Sequence, residues 1–399
     1  MGDRKPLSIA DFVDDLDTVL SRVRGRGATV PTDYGVIVVE HEALRQMLGD
    51  ERLQPTFSAM LKQFGIASGP FYEWMAMSPL DMEGEEHRRW RRLMQKTFTP
   101  RSVERLRPFL RAEADLLIDA FADAGHCEFV DAFARKLPSL GLCELIGVPK
   151  QDRAEFSAWG DTIGLGFNMM VAPGRIADID AAVANLLEYA GKLIDERRRN
   201  PKDDLVSRLA TVAHEEGGVS EELMRGSIAG LVFAGHETTK NQLGWMIAVL
   251  SQVPSHWEAV QADPKRAGDV VEEVLRFRSA ATNVQRTAQT EVEVGGCPFT
   301  KGTRLIGYLW AVNRDPSVIS EPDRFDPEQH RDFPHVAFGY GAHHCLGAAL
   351  ARAELQEALI ALSSRIDCPA IEEGASWLPP VGINGPLVLP IRFAARGGR

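Results

Sequence analysis

The stretch Phe338-Gly339-Tyr340-Gly341-Ala342-His343-His344-Cys345-Leu346-Gly347 limits most severely what this chain can fold into. One cysteine sits in a glycine-rich loop, and Leu350, Ala353, Leu355, Ala358, Leu359 and Leu362 recur behind it at helical spacing. The spacing predicts a helix starting just after Cys345. Its first N–H groups and positive dipole end would stabilise a thiolate. Gly339, Gly341 and Gly347 remove side chains, so the backbone can lie close against something flat. A thiolate pressed on a planar partner is what ligation of haem iron needs. Two plainer readings stand beside it: a buried cysteine acting as a small hydrophobe, and a zinc site drawing on His335, His343 and His344. No second cysteine lies close by, which weighs against zinc.

A second stretch adds to the first. Ser220 reads as an N-cap followed by Glu221 and Glu222, and a helix of about thirty residues runs on towards Gln252. In its middle stands Ala234-Gly235-His236-Glu237-Thr238-Thr239. Two small residues followed by an acid and hydroxyls make poor sense as packing alone. Small residues permit close approach of a cofactor, and a mid-helix hydroxyl can open the backbone ladder. A kinked core helix is the bland alternative.

Together these residues resemble the cysteine-ligand loop and oxygen-activation helix of the cytochrome P-450 haem-thiolate monooxygenases. The resemblance spans about residues 10–395 and includes five motifs in family order. It implies a mainly α fold with a minor β region, a single domain over residues 1–399, holding haem b with Cys345 as the iron ligand. By the same resemblance, Thr238 hydrogen-bonds dioxygen or its water, Glu237 relays protons as a general acid, and Ala234 lies over the haem. His87, Arg91, Arg286 and His343 match propionate ligands. Phe338, Gly339 and Gly347 shape the loop around the sulfur. His236 fills the variable place of its motif, where a structural, hydrogen-bonded role outweighs a proton relay.

Further matches are structural. Glu273 and Arg276 lie three apart on one helical face and resemble the family's Glu-x-x-Arg, with Pro322-Asp323-Arg324-Phe325 supplying the arginine that completes it. The family's proline beyond this helix is missing from Arg278-Ser279-Ala280-Ala281-Thr282, which leaves the path of the next strand open. Substrate-pocket candidates are Phe71, Phe167, Met169, Met170, Phe233, Thr282 and Ile383. They imply a hydrophobic small molecule undergoing hydroxylation or epoxidation. No flavin or iron–sulfur motif occurs in the sequence, so electrons are expected from a separate ferredoxin and its reductase. In a helix dense in cations that also holds Lys96, Arg88, Arg89 and Arg92 beside His87 and Arg91 would help form a positive docking face for an acidic electron donor. The alternatives are a hydrogen-peroxide-driven peroxygenase and a non-catalytic haem sensor or carrier.

Bulk properties agree. A net charge of −11 argues against nucleic-acid or anionic-membrane binding. Five scattered cysteines and no apolar run of about 18 residues suit a cytoplasmic protein without a membrane span. Residues 34–39 read as a strand, 63–80 as an aromatic-rich loop, Gly84 to Lys96 as a helix, Glu291 to Tyr308 as a hairpin, and Gly385 to Ile391 as one strand.

Overall fold

The computed structural model describes residues 7–8, 11, 16–168, 171–217, 219–329, 334–380 and 382–396. Its axis is the helix Glu221–Leu250, capped as its sequence predicts: the Ser220 hydroxyl oxygen accepts from the backbone N–H of Leu223. Helices Lys136–Ile146, Arg153–Gly164, Ala172–Arg199 and Ala348–Arg365 pack around it. Two apolar cores meet on this central helix. Its early turns (Met224, Ile228, Val232, Phe233) join one with Leu142, Ile163 and Val183. Its late turns (Leu243, Met246, Ile247, Leu250) join the other with Leu110, Leu355 and Leu359. Each fully buried side chain of this size contributes roughly 1.5–3 kcal/mol. The segment 234–238 falls between the two cores and belongs to neither. The small and polar residues of the helix therefore sit at a seam, where packing does not demand an apolar side chain.

The β region is minor. Five strands run in the order Thr29–Pro31, Val36–Val38, Arg304–Tyr308, Asn283–Ala288, Leu53–Gln54, with Val36–Val38 parallel to Arg304–Tyr308 and the other pairs antiparallel. After the helix that ends at Phe277 the chain enters this sheet without the family's proline: Ala281 bridges Ile383, and strand Asn283–Ala288 follows.

Four local expectations change. Residues 63–80 are not a loop throughout. Phe71, Trp74 and Met75 are spaced to share one helical face, and Pro70–Ala76 is helical with proline in its first turn. The hairpin is confined to Val292–Val294 and Cys297–Phe299, around Gly295 and Gly296 with φ of 58° and 73°. Arg304–Tyr308 leaves it for the larger sheet. The C-terminal strand is broken at Leu389 into Pro386–Val388 and Pro390–Arg392, which pair in different sheets. Arg324 does not complete the Glu273–Arg276 pair with its side chain, which points to solvent and binds Glu321 and Asp326. Arg276 uses the Arg324 carbonyl instead, at 2.8 Å.

Glu354, on the helix behind the cysteine loop, is almost completely buried, and neither of its oxygens holds a well-formed hydrogen bond. Burial pushes this carboxyl well above its ordinary 4.5, with the Thr239 hydroxyl pulling weakly the other way. The native protein then keeps a proton that the unfolded chain releases, so stability falls as pH rises above about 4.5. Glu354→Gln removes that cost. It should raise Tm by about 2–4 °C at pH 8 and by less at pH 5, read by calorimetry. An equal change at both pH values would show that Glu354 ionises normally.

Candidate active site

The cysteine loop is built by its glycines. Gly339 and Gly341 take φ of 71° and 73°, and a Cβ at Gly341 would lie 2.8 Å from the Leu48 carbonyl oxygen. The backbone N–H of Cys345 donates to the Phe338 carbonyl at 2.9 Å, closing the loop before the helix Ala348–Arg365. Burial raises the Cys345 thiol above its ordinary 9.0; backbone N–H groups of Gly347 and Ala348, and the charges of Arg91 and Arg352, only partly oppose it. The N–H groups at the helix start favour the thiolate, as the sequence predicts, and burial opposes them. A metal cation bound at the sulfur would favour the thiolate further. The zinc reading fails on ligand supply: among the described residues no three His, Cys, Asp or Glu side chains are placed to hold a metal ion.

Cys345 nevertheless retains open surface. So does Ala234, in the middle of a helix and directly after buried Val232 and Phe233. Side chains that lie deep in a molecule and still have open surface line a hollow. Behind the loop, Arg352 lies over the Phe338 ring at 4.6 Å and binds Glu272 at 2.6 and 2.9 Å. Burial alone would raise Glu272, but His335 and Arg352 hold its carboxyl down at about 2.

An anion cradle lies beside the loop. His87 and His343 stack with centroids 4.0 Å apart and planes at 21°. Burial, then the charge of His343, takes His87 down to about 4, so it acts as a neutral hydrogen-bond donor at pH 7. Arg286 is buried and donates to the Gln285 carbonyl, and among the described residues neither it nor Arg91 has a carboxylate within ion-pair distance. Burial depresses both guanidiniums, with Glu83 opposing it at Arg286. Guanidiniums drawn out of water with no carboxylate in contact are costly, and a ligand bearing two carboxylates would offset that cost. These residues fit a planar tetrapyrrole with two propionates and an iron facing Cys345. Glu83 was not foreseen. It precedes the helix Gly84–Thr97 and reads as a cap, but it makes no capping bond and instead meets His343 Nε2 at 2.9 Å. The outer arginines are less free than their number implies: Arg88 and Arg92 share Glu85, and Lys96 binds Glu216.

On the central helix, Thr238 Oγ1 donates to the Ala234 carbonyl at 2.6 Å, the back-bond of a mid-helix hydroxyl. Glu237 is held by two unforeseen partners, Lys240 Nζ at 2.6 Å and Asn241 Nδ2 at 3.0 Å. Their offsets of three and four were legible as helical neighbours. His236 carries the structural role: Nε2 meets Asp161 of the helix Arg153–Gly164 at 2.8 Å, and Arg135 joins at 3.2 Å.

Among the pocket candidates, Phe71, Phe167 and Phe233 come together, and Ile383 packs against the same apolar cluster. Thr282 does not join them. It is fully buried, and both its N–H and its hydroxyl donate to the Gly382 carbonyl. Met169 and Met170 lie outside the described residues. Phe57, not foreseen, packs on Phe167 at 5.0 Å.

The cytochrome P450 family model matches residues 173–368. Luteothin monooxygenase of Streptomyces thioluteus is 32% identical over 377 residues, covering 94% of this chain and 92% of that protein. The chain belongs to the cytochrome P450 family. Mycinamicin IV hydroxylase/epoxidase of Micromonospora griseorubida is 33% identical over 89% of this P450 and 88% of the relative. A cytochrome P450 structure from Chondromyces apiculatus superposes with a TM-score of 0.88 at 26% identity, covering 98% and 99% of the two chains. The P450 is accordingly a monooxygenase with a haem-thiolate cofactor, and no described helix is long and apolar enough to cross a membrane.

Proposed function

We propose that this P450 inserts one oxygen atom from O2 into a neutral hydrophobic small molecule, by hydroxylation or epoxidation, with haem b as its only resident cofactor. The observation that carries the reading is the open surface of Cys345, in a glycine-shaped loop beside the stacked His87 and His343 and the guanidiniums of Arg91 and Arg286. Haem supplies the iron that activates dioxygen. Cys345 would be the residue that ligates the iron, its charge supported by the N–H groups of Gly347 and Ala348 and by Arg91 and Arg352. His87, Arg91, Arg286 and His343 would hold the propionates, and Phe338, Gly339 and Gly347 would shape the loop around the sulfur. Ala234, with its small side chain, would leave room for the group.

Thr238 keeps its Oγ1 proton on the Ala234 carbonyl until a better acceptor is present. Glu237 passes protons to that hydroxyl after leaving Lys240 and Asn241. Phe71, Phe167, Phe233 and Ile383 exclude water and hold the substrate. Electrons come from a separate ferredoxin and ferredoxin reductase, because no flavin or iron–sulfur motif is present in the sequence. The intact Glu237–Thr238 pair favours oxygen-driven turnover over the peroxide-driven alternative.

The test is the absorption spectrum of the reduced, carbon monoxide-bound protein. The wild type should show the strongly red-shifted Soret band of thiolate ligation, and Cys345→Ala should lose it. A histidine-type band in folded wild type would withdraw the reading.

A further inference from the structure

Phe167 and Phe233 stack with ring centroids 3.5 Å apart and planes at 7°. This is near-complete face-to-face overlap, the arrangement that ring quadrupoles disfavour relative to offset or edge-on contact. The surroundings show why it persists and which ring is free to move. Phe233 is fixed in the central helix, one residue before open-surfaced Ala234. Phe71 meets Phe167 edge-on at 5.9 Å and 84°, and its own backbone N–H donates to Asp180 Oδ1 at 2.8 Å. Phe71 also presses on Gly166 so closely that a Cβ there would lie 2.4 Å from its Cζ. Phe57 packs on Phe167 with planes at 31°. Phe167 alone stands on a single 3-10 turn, Leu165–Phe167, between two longer helices. Phe71 and Phe233 belong to one apolar cluster with Leu61, Ile163 and Ile228, and Phe57 and Phe167 pack against it.

We propose that Phe167 and Phe233 are the two walls of a ring-binding slot, and that the substrate of this P450 carries a neutral, flat aromatic or conjugated ring that inserts between them. Insertion replaces one disfavoured sandwich with two ring contacts, each free to slide into offset. It requires Phe167 to withdraw by about one ring thickness, which one turn of 3-10 helix absorbs more readily than the long helices beside it. A saturated ring of the same carbon count gains less, because it is puckered and has no π face. The inference rests on the haem-site reading above and narrows its substrate class.

Three imidazoles separate the two claims, since an azole nitrogen on ferric haem iron shifts the Soret band whatever its substituent does. Titration of the haem-loaded protein with imidazole, 4-phenylimidazole and 4-cyclohexylimidazole should give binding of all three. The phenyl compound should bind about tenfold more tightly than the cyclohexyl one, a difference of roughly 1.4 kcal/mol. Phe167→Leu and Phe233→Leu should each bring that ratio near one, and a wild-type Soret band before titration shows that the variants are folded and haem-loaded. Equal phenyl and cyclohexyl affinities in the wild type would overturn the slot, as would a ratio that persists in both variants. No Soret shift with imidazole itself would defeat the haem-site reading, and the slot with it.

Discussion

Glu237→Gln lowers oxygen-supported turnover by about 10²–10³-fold and leaves the carbon monoxide spectrum and substrate affinity close to wild type. General acid catalysis contributes roughly 10²–10⁴-fold, and glutamine keeps the shape of glutamate without its proton chemistry. The surroundings sharpen the expectation. Glu237 is tethered by Lys240 and Asn241, and a Cβ added at Gly164 would lie 3.6 Å from its Oε2, so the acid sits directly under the helix Arg153–Gly164. An amide retains a hydrogen bond to Asn241 and loses the Lys240 ion pair, so a variant that breaks the same ion pair but keeps the acid is the control. Lys240→Gln separates the two roles. It frees the acid without removing it and should change turnover by less than tenfold. If Glu237→Gln stays within threefold of wild type, the acid is not the proton source. If Lys240→Gln is as damaging as Glu237→Gln, the lysine is part of the relay.

Much of this site was legible in sequence because it lies where packing rules are broken. Ala234 to Thr238 stands at the seam between two cores, so its residues answer to chemistry instead of burial. The glycines of the cysteine loop are demanded by backbone conformation at Gly339 and Gly341 and by the Leu48 carbonyl facing Gly341. Long-range partners were not legible. Glu83 meets His343 across 260 positions, and Asp161 meets His236 across 75. Nothing local marks an acid as the partner of a distant histidine. Thr282 failed for a related reason: its hydroxyl is committed to the Gly382 carbonyl, on a turn 100 residues away.

Arg324 makes the same point with a measurable consequence. By resemblance its side chain should be a strong determinant of stability; in the structure that side chain is exposed, and Glu273 and Arg276 do the fastening. Arg276 is buried, grips Glu273 through two bonds of 2.8 Å, and donates to the carbonyls of Asn313, Pro322 and Arg324. Glu273 Oε1 also accepts from the Asp326 N–H at 2.8 Å. Glu273→Ala leaves a buried guanidinium without its counter-charge, which costs about 3–5 kcal/mol. It should appear in denaturant unfolding as an equally large loss. Replacing a buried ion pair by apolar side chains is often neutral, but here Glu273→Met with Arg276→Leu would strand three backbone carbonyls and one N–H, each at about 1–3 kcal/mol. The double variant should therefore remain destabilised. Arg324→Ala loses only surface ion pairs and should cost under about 1 kcal/mol. Rescue by the apolar double variant would show that the charge pair, and not the carbonyl network, is what Arg276 supplies. A loss of several kcal/mol in Arg324→Ala would restore the side-chain role that the resemblance implies.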